Sequence, residues 1–297
     1  MTIEFTPLHP CIAAEARGVD LRQPLDAAAV RAIEVAMDRF AVLVFRDQPI
    51  TQGEQVAFSR NFGPLDQGLR KATGGPTRFE YDELIDVSNL TLDGKVAQRE
   101  DKKLIGTLAN QLWHSDSSFQ SIVAKYSLLS GVAVPGEGGD TEFADLRAAY
   151  DALDDETKRL IARLSAEHHA FHSRTLLLGD ESYNDKQLNS MPPVEWPLVR
   201  VHPGSGRTVL FVGIHCRRIN GMTLPEGRLL LAELIEHATQ REFVYRHQWR
   251  AGDLVMWDNR CTLHRGRRYD LTKRRDLRRT TTIDVASGTA AKVSSAA

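Results

Sequence analysis

The sequence predicts a mainly β protein with peripheral helices, arranged as a sandwich or barrel, and three observations carry that prediction. Short segments rich in Val, Phe, Tyr and Trp recur along the chain, bounded by turn residues as at Pro135-Gly-Glu-Gly-Gly139 and Pro203-Gly-Ser-Gly206. Helical patterns are fewer and lie between them. The two kinds do not alternate regularly, which argues against a doubly wound parallel sheet.

Taken in order, Asp26 opens an amphipathic helix over 27–40, with Val30, Ile33, Met37 and Phe40 on one side, and residues 41–45 (AVLVF) read as a buried strand. A second helix is predicted at 53–62. Strands follow at 85–89, 111–116 and 124–134. Helices are expected at 146–153, 155–168 and 226–239, the last two opened by acidic residues that suit a helix N-terminus. Strands are expected at 198–202, 209–212, 242–249 and 254–257. No Pro/Gly/Ser-rich linker divides the chain, so one domain over 1–284 is expected. The small polar stretch 285–297 reads as a disordered tail.

Composition narrows the functional classes. The 297 residues carry 38 Lys+Arg against 39 Asp+Glu, a net charge of -1, with 42% hydrophobic residues. No apolar run approaches the length of a membrane helix, and 1–17 lacks the basic start and apolar middle of a secretory signal. Cytoplasmic residence is the expectation. Three widely spaced cysteines (Cys11, Cys216, Cys261) offer neither a disulfide scaffold nor a thiolate zinc site. One asymmetry stands out: between Arg260 and Arg279 lie nine Lys or Arg and two acids. Such a run reads as a solvated face or as a polyanion site, but the balanced charge elsewhere argues against a nucleic-acid protein.

The chemistry centres on WHSD, residues 113–116. In a strand, i and i+2 share a face, so His114 and Asp116 would present an imidazole and a carboxylate together. His264 follows 148 positions after Asp116, beyond a strand signal. Two histidines and one carboxylate on one side of a metal form the facial triad of non-haem Fe(II) oxygenases, which leaves positions open for a bidentate 2-oxo acid and dioxygen. A dianionic co-substrate needs a cation, and the planar fork of Arg matches a carboxylate. If 275–283 is a strand, Arg275, Leu277 and Arg279 share a face. Arg267, Arg268, Lys273 and Arg274 then read as a solvated rim.

The strings WHSD, GGDTEFADLRAAYDAL, WDNRCTLHRGRRYD and RRDLRRTT, in that order, resemble the Fe(II)/2-oxoglutarate-dependent dioxygenases of the taurine dioxygenase family. The resemblance covers nearly the whole chain and implies a double-stranded β-helix (jelly-roll) core. It implies that His114, Asp116 and His264 bind Fe(II), and that Thr141 and Arg275 hold the C5 carboxylate of 2-oxoglutarate. Arg279 and Lys71 would face a substrate carboxylate, with Asn110, Ser117 and Phe119 lining the pocket. The implied reaction consumes dioxygen and cleaves an aryloxyacetate to a phenol and glyoxylate, with an alkylsulfonate or another aryloxyalkanoate as alternative substrate. Partners beyond a small anionic substrate are not expected, apart from further copies of the chain in a homo-oligomer; neither nucleic acid nor membrane is. A non-catalytic small-molecule-binding barrel is the reading outside this class.

Other candidates read more plainly. His168 and His172 stand at i and i+4, a zinc-capable spacing, but lack a Glu at the catalytic position between them. His202 and His215 read as hydrogen-bonded histidines, with a place lining the pocket as the alternative, Trp113 and Trp257 as core packing, and Cys261 as a buried inert thiol.

Overall fold

The computed structural model describes residues 2–66, 76–179, 191–285 and 291–292. These residues form a seven-stranded sheet in the order β1 (Glu4–Pro7), β2 (Ala14–Arg17), β3 (Val42–Phe45), β13 (Leu254–Asp258), β5 (Ala124–Ala133), β15 (Asp276–Ile283), β4 (Ile85–Asp86). Facing it is a three-stranded sheet, β12 (Val244–His247), β6 (Thr141–Asp145), β14 (Thr262–Gly266). A four-stranded sheet runs β11 (Cys216–Ile219), β7 (Ser165–His168), β8 (Val194–Pro197), β16 (Ala291–Lys292), and β9 (Val199–Val201) pairs with β10 (Thr208–Leu210). The mainly β class with peripheral helices is the one predicted.

Side-chain alternation explains why the seven-stranded sheet is buried on both faces. In β3, Val42 and Val44 point into the core between the sheets, while Leu43 and Phe45 point outward under helices. Strand β13 repeats the pattern, with Val255 and Trp257 inward and Leu254 and Met256 outward. Opposite them, Phe143 of β6 and Leu263 of β14 fill the gap, the Phe143 and Trp257 rings lying 5.4 Å apart. Each such side chain contributes about 1.5–3 kcal/mol on leaving water. The sandwich that a jelly-roll core requires is therefore specified residue by residue.

Helix α1 (Ala27–Phe40) covers the outer face through Ile33, Met37 and Phe40. Asp26 caps it by accepting from Ala29 N–H at 2.7 Å. Helix α2 (Gln52–Arg60) starts on a Thr51/Glu54 capping box, one residue before the predicted 53–62. Short helices α3 (Lys102–Thr107), α4 (Leu146–Ala152), α5 (Asp155–Ile161) and α6 (His172–Leu178) and the longer α7 (Leu224–Ala238) complete the described elements. None of the described helices is long and apolar enough to cross a membrane.

Two predicted elements are corrected. The helix expected over 155–168 stops at Ile161, and Ser165–His168 is instead the strand β7, paired on both sides with β8 and β11. Local helical periodicity continues through this stretch, but sheet pairing and the burial of Glu167 and His168 override it. The strand expected over 111–116 is a 3₁₀ turn (Leu108–Gln111) followed by a single bridge between His114 and His264. Side chains hold this segment where a ladder does not: Ser115 Oγ lies within hydrogen-bonding distance of the carbonyls of Asn259 (2.7 Å) and Thr262 (2.8 Å). Beyond Val285, Ala291–Lys292 pairs with Val194 and Glu195, and the other tail positions lie outside the described residues.

Candidate active site

His114 and His264 are brought together by the bridge between their backbones, each N–H donating to the other's carbonyl (3.0 and 2.8 Å). Their ring centroids lie 4.1 Å apart. Asp116 faces both: its Oδ1 is 4.0 Å from His114 Nε2 and its Oδ2 is 3.8 Å from His264 Nε2. The three ligand atoms lie within 4.8 Å of one another. His114 Nδ1 bonds to the Leu112 carbonyl at 2.7 Å, which makes it the protonated nitrogen and leaves Nε2 a lone pair toward Asp116. Burial pushes both imidazoles below their ordinary range, so they are neutral, as metal ligands must be.

Asp116 is held in a cradle. Arg279 Nη1 donates to Oδ1 at 2.5 Å and Ser127 Oγ donates to Oδ2 at 2.7 Å. The Asn259 amide donates to Ser127 Oγ at 2.9 Å, and its carbonyl accepts the Asp116 N–H at 3.1 Å and the Trp257 indole N–H at 3.0 Å. Burial opposes charge on Asp116, but the Arg279 guanidinium and the Ser127 hydrogen bond favour it, and the carboxyl lies well below the usual range.

A cavity adjoins this triad, lined by His114, His264, Thr141, Arg275 and Arg279. Arg275 is buried at 8% exposure. Its guanidinium donates to the carbonyls of Val87 (3.3 Å) and Gly139 (3.2 Å), and its Nε is buried with no partner. Among the described residues no carboxylate lies within ion-pair distance of it. Burial lowers its affinity for a proton, with Tyr269 and Asp140 opposing. A buried guanidinium that meets carbonyls and the Tyr269 ring, 5.4 Å away, but no carboxylate within ion-pair distance among the described residues is a receptor for an anion. Gly139 permits this packing: its φ is +73°, and a Cβ there would sit 3.2 Å from Arg275 Nε.

A second cavity, of about 410 Å³, meets the first at His114 and Arg279. Asp116, Asn110, Ser117 and Phe119 line it, as do His215, for which a pocket place was the lesser alternative, and Arg174, for which sequence reasoning assigned none. His215 Nδ1 is buried without a partner, and the ring meets Phe119 edge-on at 4.9 Å and His114 at 6.0 Å. The expectation of a hydrogen-bonded His215 is therefore corrected. His202 does have partners, Asp258 at 3.0 Å and Ser205 at 2.9 Å, and is structural. Nothing in the sequence near Arg174 pointed to a cavity.

The remaining candidates separate cleanly. Lys71 lies outside the described residues. His168 ends β7 and His172 begins α6, so they do not share a helix; His168 lies 3.3 Å from Cys216 Sγ. Cys261 is fully buried, and burial raises its thiol far above the usual range. Within the basic run, Arg267, Arg268, Lys273 and Arg274 are exposed as expected, whereas Arg260 is buried against Asp258 at 2.6 Å.

Residues 4–281 match the model of the family described as taurine catabolism dioxygenase TauD, TfdA family. The alpha-ketoglutarate-dependent 2,4-dichlorophenoxyacetate dioxygenase of Cupriavidus pinatubonensis is 59% identical, over 96% of this chain and 99% of that protein. The (S)-phenoxypropionate/alpha-ketoglutarate-dioxygenase of Sphingobium herbicidovorans is 36% identical, over 92% of each. The crystal structure of AAD-2 in complex with Mn(II) and N-oxalylglycine superposes with a TM-score of 0.88 at 48% identity, covering 96% of this chain and 98% of that one.

Proposed function

The chain belongs to the TauD, TfdA family and is an alpha-ketoglutarate-dependent dioxygenase, and from that premise we propose that it cleaves aryloxyacetates such as 2,4-dichlorophenoxyacetate to a phenol and glyoxylate. The observation that carries the reading is the placement of Arg275, buried and without a counter-ion, in one cavity with His114 and His264.

The residues present fit a divalent iron: the ligand atoms of two neutral imidazoles and a carboxylate lie within 4.8 Å of one another. His114, Asp116 and His264 would hold it, and when bound it supplies the activation of dioxygen for oxidative decarboxylation of 2-oxoglutarate to succinate and CO2. Thr141 and Arg275 hold the distal carboxylate of 2-oxoglutarate and orient its oxo-acid end toward the triad. One oxygen atom of dioxygen enters succinate and the other hydroxylates the carbon between ether oxygen and carboxylate, giving a hemiacetal that collapses to phenol and glyoxylate.

The second cavity receives the aryloxyacetate. Phe119 offers the ring an apolar wall, and Arg279 and Arg174 supply positive charge for the carboxylate. Binding energy spent there fixes the reacting carbon beside the triad. Three free thiols, Cys11, Cys216 and Cys261, support a reducing, cytoplasmic setting.

The test is phenol and succinate release from 2,4-dichlorophenoxyacetate in the presence of Fe(II) and 2-oxoglutarate. Equal yields of the two products are expected. Succinate formed with (S)-phenoxypropionate or an alkylsulfonate, and none with aryloxyacetates, would replace the substrate while leaving the class intact.

A further inference from the structure

Thr141 opens β6 and lines the first cavity, and Trp249, just past β12, reaches its hydroxyl through the indole Nε1 at 3.0 Å. Among the described residues the indole is this hydroxyl's one hydrogen-bond partner. An indole N–H only donates, whereas a threonine hydroxyl has one proton to give and lone pairs to accept with. The contact therefore fixes Thr141 as acceptor toward Trp249 and leaves its proton for another group. Arg275, which lines the same cavity, has in its Nε another donor without an acceptor among the described residues. The two together present two donors, which suits an ionised carboxylate.

Trp249 is itself fixed. Its ring meets the His247 ring edge-on at 4.6 Å, and a Cβ on Gly131 of β5 would stand 3.1 Å from its Cε3. Glycine at 131 is what leaves the indole room to lie against the strand.

We propose that Trp249 is a positioning residue for the co-substrate: by occupying a lone pair of the Thr141 hydroxyl, it commits that hydroxyl to donate toward the distal carboxylate of a 2-oxo dicarboxylic acid beside Arg275. The proposal rests on the reading of the first cavity as the 2-oxoglutarate site. It makes the indole N–H a determinant of co-substrate affinity without contact between Trp249 and the co-substrate.

The experiment is a double-mutant cycle read by calorimetric binding of N-oxalylglycine to the Mn(II)-loaded protein. Trp249→Phe is expected to weaken binding about three- to tenfold, the effect of one hydrogen bond. Made on a Thr141→Val background, the same substitution is expected to weaken it by less than about twofold, because the two residues act as one unit. Equal factors in the two backgrounds, or no loss from Trp249→Phe alone, overturn the proposal and leave the cavity's assignment standing. Wild-type affinity in Thr141→Val overturns that assignment and the proposal with it. Should Trp249→Phe not fold, Trp249→Leu, which likewise lacks the N–H, takes its place in the cycle: a loss of affinity that largely vanishes on the Thr141→Val background is expected, and equal factors in the two backgrounds overturn the proposal.

Discussion

The Ser127 hydroxyl donates to Asp116 Oδ2 at 2.7 Å while accepting from the Asn259 amide at 2.9 Å, so the metal-facing carboxylate is oriented from strand β5 across the sandwich. Groups that orient a ligand typically change metal affinity about 10- to 100-fold when removed. Ser127→Ala is expected to weaken Mn(II) binding by that factor, measured by titration without co-substrate. It also strands the Asn259 N–H, at a stability cost of about 1–3 kcal/mol. Unchanged Mn(II) affinity in a folded variant would show that the cradle does not orient Asp116.

Arg275 gives a prediction in which function and stability part. A buried guanidinium without a counter-ion costs desolvation free energy in the resting protein, and the bound carboxylate offsets it. Arg275→Met keeps an apolar stem of similar length and removes the charge. In the absence of co-substrate its melting temperature is expected to be no lower than that of the wild type. Its affinity for N-oxalylglycine is expected to fall by about 30-fold or more, as for loss of a buried charged partner. A clear drop in melting temperature with affinity retained would make Arg275 a structural residue.

The triad was legible in the sequence for a reason that turned out only half right. The i, i+2 spacing of His114 and Asp116 was read as a strand, yet the segment is a single bridge tied down by Ser115 and Asn259. The outcome survived because the His114 bridge and the hydrogen bonds at Ser115 and Asp116 bring both side chains to the site without a ladder. The buried strands of β3 and β13 were legible because both faces of that sheet are covered, which leaves continuous apolar runs. Strand β7 was not: Ser165, Glu167 and the flanking charges carry no strand signal, and Glu167 is buried only because Arg217 and Arg218 pair with it. Arg174 and His215 reach the second cavity through packing between segments distant in the chain, which no local pattern encodes.

A third prediction concerns pH. Burial, with Arg200 adding to it, pushes the His168 imidazole down to about 3. Folded His168 is therefore neutral, whereas the unfolded chain takes up a proton below about pH 6.5. The unfolded state binds more protons in that window, so stability falls as pH drops from about 6.5 toward 3. His168→Gln removes one proton from this linkage. Its stability, from urea midpoints at several pH values, is expected to depend on pH less steeply than wild type by about 1.4 kcal/mol per unit between pH 6 and 4. Parallel curves for the two proteins would assign the acid sensitivity to other groups.

The two cavities share Val87, Thr107, Asn110, His114 and Arg279, but Thr141, His264 and Arg275 line the first alone and Phe119, Arg174 and His215 the second alone, which predicts that their ligands can be perturbed separately. His215 tests this from the substrate side. Its ring packs on Phe119 at 4.9 Å, and its Nδ1 has no partner. His215→Phe preserves an aromatic edge there and removes the polar atom. If Nδ1 hydrogen-bonds the aryloxyacetate, the KM for that substrate rises about tenfold, the effect of a lost hydrogen bond to an anion. The Kd for N-oxalylglycine stays within about twofold, since the first cavity keeps Thr141 and Arg275 intact. Substrate kinetics and N-oxalylglycine calorimetry on the one variant decide it. Parallel losses in both would mean that the cavities respond as one site, and that the His114 ring, 6.0 Å from His215, transmits the change.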